Sequence, residues 1–297
     1  MNLLVLGGDG MLGHKVLQVL YERYADTLCT IRGRVDDERH RSIDLFRSVR
    51  AIEGVDLLDL ASLDSLLLDL KPQVTVNCAG VIKQRDAAKE AIPSITINAL
   101  LPHRLAAVCA QWGGRLVHFS TDCVFSGRRG NYTEKDVSDA EDLYGRTKFL
   151  GEVNAANALT LRTSIIGREL FHRQSLLEWS LGQRGKTLRG FTRALYSGVT
   201  TNHLAKLVAT VIGQHSELSG LYQVTSKTIS KCELLCLINE AYGLGQTVVP
   251  DDEFFCDRSL LGSKFECATG LVCPPWPELV SELAQDPTPY DKWRGSS

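Results

Sequence analysis

The chain has 297 residues, 44% of them hydrophobic and 23% charged, with a formal net charge of −2 and a pI near 6.4. That balance, with no dense Lys/Arg run, argues against a nucleic-acid partner, and no stretch of 18 consecutive apolar residues argues for a membrane span. Nine cysteines without one Cys-x-x-Cys pair support neither a zinc site nor a disulfide scaffold, so no metal is expected. Met1 leads straight into NLLVLGG without a basic leader or cleavage site, which predicts a soluble, cytoplasmic protein.

Residues 2–6 form a short continuous apolar run, the mark of a strand buried on both faces. It feeds into Gly7-Gly8-Asp9-Gly10-Met11-Leu12-Gly13 and then an apolar helical face through Val16, Val19, Leu20 and Tyr24. Strand, glycine turn, helix is the order that a dinucleotide site requires: Gly7, Gly10 and Gly13 allow a tight turn, close approach of a pyrophosphate and close helix packing. The plain alternative is a glycine-rich turn with no ligand. A second strand, Thr27–Ile31, ends at Arg32, where an NAD site would carry an acid and a basic residue can meet the 2′-phosphate of NADP. A solvated loop arginine is the competing reading.

Residues 35–53 are highly charged, a surface loop or helix beside the adenosine end with no assigned role. A third strand is expected to end near Asp56, whose carboxylate would reach the adenine amino group. A helix on Leu63, Leu66, Leu67 and Leu70 follows and is closed by Pro72. Val74–Cys78 is the fourth strand, delivering residues 77–84 to the edge that carries the glycine turn. A long helix over 94–112 contains Asn98, and Arg115–Ser120 is the fifth strand. The alternation predicts an α/β fold, a doubly wound parallel Rossmann sheet over 1–167, with a smaller, interleaved substrate region over 168–297. Leu221–Thr225 is expected to rejoin the sheet. The stretches 190–193 and 196–201 read as a loop across the substrate, with Arg193 meeting a phosphate or simply lying at the surface. The tail after Cys273 begins with prolines and ends polar, and its terminal Gly-Ser-Ser is expected to be disordered.

The fifth strand ends on Ser120-Thr121-Asp122, and Tyr144 precedes Lys148 by four residues, one helical turn. A lysine charge close to a phenol favours phenolate and would pull the tyrosine toward the working pH range, while the Thr121 hydroxyl would help hold a carbonyl oxygen. A half-buried aromatic beside a solvated lysine has the same spacing.

Together the glycine turn, NCAG at 77–80, STDCVFSG at 120–127, DLYGRTKFLGE at 142–152 and LRTSIIG at 161–167 resemble the extended short-chain dehydrogenases/reductases, in the branch of dTDP-4-dehydrorhamnose reductases. The resemblance implies that Thr121 binds a keto oxygen, that Tyr144 donates the proton and that Lys148 binds the nicotinamide ribose and tunes the tyrosine. It implies NADPH contacts from Gly7, Asp9, Gly10, Met11, Leu12, Gly13, Arg32, Asp56, Leu57, Cys78, Ala79, Gly80, Asn98, Tyr144 and Lys148. Lys83, Asp122, Cys123, Arg193 and Arg258 would face a nucleoside-diphosphate sugar, and a homodimer is expected. Cys123 stands where the family commonly shows an aromatic or histidine, so the pocket wall differs there.

The expected activity is NADPH-dependent reduction of a 4-keto-6-deoxyhexose carried on a nucleoside diphosphate, in deoxysugar and surface-polysaccharide synthesis. An NAD-dependent epimerase or dehydratase is the nearest enzyme alternative. A non-catalytic NADP-binding regulatory subunit is the alternative of a different class.

Overall fold

The computed structural model describes residues 1–81 and 90–295. Its first six strands are β1 (Leu3–Leu6), β2 (Thr27–Thr30), β3 (Arg50–Ile52), β4 (Val74–Asn77), β5 (Arg115–Thr121) and β6 (Ala158–Thr163). They are followed by β7 (Ile165–Ile166), β8 (Thr187–Tyr196), β9 (Val199–Thr200), β10 (Gly220–Gln223), β11 (Ile229–Ser230) and β12 (Thr247–Asp257). Seven strands make one parallel sheet in the order β10-β6-β5-β4-β1-β2-β3. The chain runs outward from β1 through β2 to β3, then returns to β4 on the other side of β1. That reversal opens a crevice at the carboxyl ends of β1 and β4, where ligands bind in open parallel sheets.

Alternation along β1 explains why its whole run is apolar. Leu3 and Val5 join the core on one face with Val16, Leu17 and Leu20, whereas Leu4 and Leu6 join the other with Leu63, Leu67 and Leu105. Local signals set the helices. Asp59 caps Leu60–Leu70 by accepting from the Ser62 amide at 3.1 Å, and Lys71, in the left-handed region, ends it before Pro72. Asp142 caps Leu143–Leu150 by accepting from the Gly145 amide at 2.8 Å.

The expected helix over 94–112 is interrupted. An α-turn at Ala91–Ser94 passes into a π-helical stretch at Ile95–Leu100 before regular helix resumes over Leu101–Ala110. Pro102 supplies the reason: it has no amide hydrogen for the Asn98 carbonyl four residues earlier.

Two further expectations are corrected. The third strand stops at Ile52, well short of Asp56, and the backbone continues by loop hydrogen bonds from the Gly54 amide to Gly33 and from the Val55 amide to Ile31. Residues 190–193 are not a loop but the middle of β8, the centre of a sheet ordered β11-β8-β12. Leu188, Gly190, Ala194 and Tyr196 are buried while Thr187, Arg189 and Arg193 are exposed, a period-two pattern that marks a strand. The tail folds back on the core: helices Trp276–Ala284 and Tyr290–Trp293 bury Trp276, Tyr290 and Trp293. His14 bridges the Gly10 carbonyl and the Tyr290 hydroxyl, each at 2.8 Å, and Lys15 pairs with Asp286 at 2.8 Å in a largely buried contact. β10 does rejoin the main sheet, pairing in parallel with β6 from Gly220 to Gln223.

Candidate active site

A cleft of about 380 Å³ lies over the crevice at the carboxyl ends of the strands. Its lining brings together residues from four distant stretches: Asp9–Leu12, Asn77–Gly80, Phe119–Cys123, and Tyr144 with Lys148. Steric limits hold the glycine turn. Gly7 has φ +74°, in the left-handed region that glycine tolerates, and a Cβ on Gly13 would stand 2.0 Å from the Gly7 carbonyl oxygen. The turn therefore brings backbone to the cleft beside the side chains of Asp9, Met11 and Leu12. Asp9 faces it with His40 Nε2 at 3.3 Å; burial pushes this carboxyl up, but the His40 hydrogen bond and the His40 and Arg39 charges outweigh it, and the net shift is downward.

Position by position, the dinucleotide end is assembled as follows. Cys78 lies in the cleft wall, its thiol pushed up by burial. Ala79 and Gly80 line the wall beside it. Asn98 clamps the following backbone, accepting from the Val81 amide at 2.9 Å and donating to the Val81 carbonyl at 3.0 Å and to Thr147 Oγ1 at 3.3 Å. It positions the strand end rather than lining the cleft. Arg32 is exposed just beyond β2, Asp56 is exposed and accepts from the Leu58 amide at 3.1 Å, and Leu57 packs against the core. Lys83 lies outside the described residues.

Thr121 closes β5. Its hydroxyl donates to Asp122 Oδ1 at 3.2 Å and accepts from the Cys123 amide at 3.2 Å, so both polar capacities are held in place. A Cβ on Gly145 would lie 2.2 Å from the Cys123 carbonyl oxygen; its absence lets the helix carrying Tyr144 press directly against this turn. The direction expected for the Tyr144 phenol is overturned. Burial pushes it above the ordinary value, with the charge of Cys123 acting the same way and a hydrogen bond from Thr121 opposing. Lys148 is also buried: its Nζ donates to the Phe119 carbonyl at 2.6 Å and lies 3.5 Å from His118 Nε2. Burial, against an opposing pull from Glu152, lowers it to about 8. The lysine is thus aimed at the strand end, and the phenol retains its proton at neutral pH.

Arg258 donates from Nε to the Phe125 carbonyl at 2.9 Å and from Nη1 to Cys123 Sγ at 3.5 Å, which brings it beside Asp122 and Cys123. Arg193 is not brought in: it is exposed, stacked at 5.1 Å from the Phe255 ring. Several residues in or behind the cleft wall lie outside the expectations from sequence. His118 is fully buried between Lys148 and Asn77 and is held well below the usual imidazole range, chiefly by burial. Phe171 and His172 line the dinucleotide side, with the Arg39 guanidinium 3.8 Å from the Phe171 ring centroid. Lys231 and Tyr196 line the opposite wall. Only His118, a titratable residue inside an apolar strand, carried a signal readable from sequence.

A larger groove, about 900 Å³, runs between helix Gly13–Arg23 and the folded-back tail. It contains none of the strand-end residues, and its buried cation, Lys15, is already neutralised by Asp286. The strand-end residues therefore meet in the smaller cleft. Among the described residues there is no cluster of metal-binding side chains, and no helix is long and apolar enough to cross a membrane.

A doubly wound parallel sheet with a glycine turn, and with Thr121, Tyr144 and Lys148 at its carboxyl edge, defines an extended short-chain dehydrogenase/reductase. Within that class, the family described as the RmlD substrate binding domain matches residues 1–254, and the chain belongs to it. Methionine adenosyltransferase 2 subunit beta of Xenopus laevis is 26% identical over 265 residues, 81% of this chain and 72% of that one. The matched stretch is under half the length of three further subunits of the same name. The dTDP-4-dehydrorhamnose reductase of Streptomyces griseus is 31% identical over 150 residues, 50% of this chain and 43% of that one. A crystal structure of dTDP-4-dehydrorhamnose reductase from Bacillus anthracis, in complex with NADP, has the same fold, with a TM-score of 0.74 over 95% of this chain and 98% of that one at 20% identity.

Proposed function

We propose that the protein reduces the 4-keto group of a 4-keto-6-deoxyhexose carried on a nucleoside diphosphate, with NADPH as reductant. The observation that carries this reading is the meeting of Thr121, a protonated Tyr144 and a buried Lys148 with the glycine turn in one cleft. The residues present fit a dinucleotide: Gly7 and Gly13 leave the turn without room for side chains, and Cys78–Gly80 continue the same wall. Arg32, exposed at the end of β2, is free to meet a 2′-phosphate.

NADPH, when bound, supplies a hydride to the carbonyl carbon. The Thr121 hydroxyl turns from Asp122 to donate to the carbonyl oxygen, and Tyr144 gives that oxygen its phenolic proton as negative charge develops there. The Lys148 charge favours the phenolate left behind, which regains a proton from solvent. Thr121 and Tyr144 thereby hold the oxygen while Asp122, Cys123 and Arg258 surround the rest of the sugar nucleotide. NADPH consumption against dTDP-, UDP- and GDP-linked 4-ketosugars tests the reading; no turnover with any of them overturns it.

The likeness to methionine adenosyltransferase 2 subunit beta favours a second reading, an NADP-binding subunit that turns over no sugar. Tight NADPH binding without consumption, together with co-purification of a catalytic partner, would select it.

A further inference from the structure

The wall opposite Tyr144 holds a cation that the reductase reading leaves without a task. Lys231 opens helix Lys231–Tyr242 directly after β11, and its half-buried side chain lines the cleft. The first turn is fixed by a reciprocal cap: Ser230 Oγ accepts from the Glu233 amide at 3.1 Å, and Glu233 Oε2 accepts from the Ser230 amide at 3.0 Å. The ammonium stands 3.9 Å from the centroid of the Tyr196 ring. Among the described residues it makes no hydrogen bond or ion pair. A cation drawn out of water and left without an acid within ion-pair reach is costly unless something in the cleft receives it.

Its surroundings say what that is. Burial lowers the Lys231 pKa most; Asp122, Cys123 and Cys256 attract its charge and Arg258 repels it. Asp122 accepts the Thr121 hydroxyl, so the acid that faces Lys231 adjoins the seat of the reacting carbonyl. The pair is attracted without closing into a salt bridge, and the opening between them faces the cleft. A diphosphate there would gain from Lys231 but be repelled by Asp122. A hydroxyl, by contrast, accepts from the ammonium and donates to the carboxylate at once.

We infer that Lys231, carried on the Tyr196 ring, donates a hydrogen bond to a ring hydroxyl of the substrate's sugar next to the carbonyl carbon, with Asp122 accepting a hydrogen bond from that hydroxyl. Lys231 is then a specificity-determining residue that selects the sugar. This rests on the reductase reading.

The experiment uses the full chain with the 4-ketosugar nucleotide it reduces best, with the same nucleoside diphosphate lacking the sugar, and with the analogue deoxygenated beside the ketone. Lys231→Met keeps the stem over Tyr196 and removes the charge; Lys231→Arg restores it. Losing a charge-assisted hydrogen bond should raise KM for the sugar nucleotide by roughly 10–100-fold in Lys231→Met. Calorimetric affinity for the nucleoside diphosphate and the melting temperature should stay unchanged, and Lys231→Arg should recover part of the loss. The deoxygenated analogue should be used equally well by the wild type and by Lys231→Met. An unchanged KM, an equal loss of nucleoside-diphosphate affinity, or a melting temperature that falls with the KM effect overturns the assignment. Failure of the wild type to bind or reduce any sugar nucleotide removes the reductase reading and this inference with it, whereas normal reduction by Lys231→Met removes only the latter.

Discussion

The two ends of the cleft are built from different materials. At the dinucleotide end a backbone turn, with Gly7, Gly10 and Gly13 in a geometry that excludes a Cβ at Gly13, supplies part of the surface, flanked by Asp9, Met11, Phe171 and His172. At the other end it is side chains: Asp122, Cys123, Tyr196 and Lys231, drawn from three distant stretches and setting a cation beside an acid, with Arg258 held against Cys123. A backbone surface recognises features common to every dinucleotide and is rigid, because nothing in it can change rotamer. A side-chain surface can be retuned one residue at a time. Dinucleotide binding at the turn should therefore be hard to retune by substitution, whereas recognition at the side-chain end should be easy to change.

Tyr144 stands between the two ends, and its loss should be the largest single effect. Tyr144→Phe retains the packed ring and removes the transferable proton, so kcat should fall by at least ~10²-fold with NADPH affinity little changed. Near-normal turnover in stopped-flow or steady-state assays would remove the tyrosine from the chemistry. Gly13→Ala attacks the backbone surface alone: the new methyl meets the Gly7 carbonyl, which has no rotamer to escape into. Overpacking of this kind should cost about 1–3 kcal/mol of stability and abolish the melting-temperature rise given by NADPH. An alanine variant that melts normally and still gains stability from NADPH would show that the turn is not the binding surface.

The arginines sharpen the contrast. Arg32→Ala should weaken NADPH by ~1.5–3 kcal/mol, the worth of a charge-assisted contact, and leave NADH almost untouched; equal weakening of both makes Arg32 structural. Arg258→Ala should raise KM for the sugar nucleotide by roughly 10–100-fold while lowering kcat much less, as expected of a contact made in ground and transition states alike. Because Arg258 Nε also holds the Phe125 carbonyl, this variant should lose about 1 kcal/mol of stability without any ligand. A variant that loses stability but keeps its KM would leave Arg258 as a strut.

The backbone-built end was largely legible in the sequence, because contiguous residues make it. Buried strand, glycine spacing and apolar helix lie within the first two dozen positions, and the Thr121 and Tyr144-to-Lys148 signals are equally local. What escaped was set by distance along the chain. Lys231 matters through Tyr196 and Asp122, and no local pattern links those three. Arg193 takes the surface alternative, on a strand whose alternation is present in the sequence but competes with the turn-like look of Gly190 and the polar residues around it. The tail's polar ending concealed Tyr290 and Trp293, which are buried only because His14 and the core around it receive them. The sign of the Tyr144 shift was missed for the same reason: burial is a property of the assembled cleft, and it outweighs any neighbour read from spacing.

A dependence on pH separates activity from stability. Lys148 is held at about 8 by burial, against an ordinary lysine value of 10.5. Below pH 8 its ammonium is present. Above it the folded protein releases that proton while the unfolded chain keeps its own up to about 10.5, so the unfolded state binds more protons in this window and stability attributable to Lys148 rises with pH. Activity should move the other way. If the charged ammonium supports the phenolate and the cofactor, kcat/KM should fall above pH 8 toward a slope of about tenfold per pH unit. Tyr144 is not the source of that limb, because burial pushes its phenol above the usual tyrosine value. Lys148→Arg should abolish the limb, since a guanidinium stays protonated throughout, even if the overall rate is lower. Lys148→Met should remove the matching rise in melting temperature between pH 8 and 10. A wild-type profile flat to pH 10, or a limb at pH 8 that persists in Lys148→Arg, would show that the Lys148 charge does not take part in the rate-limiting chemistry.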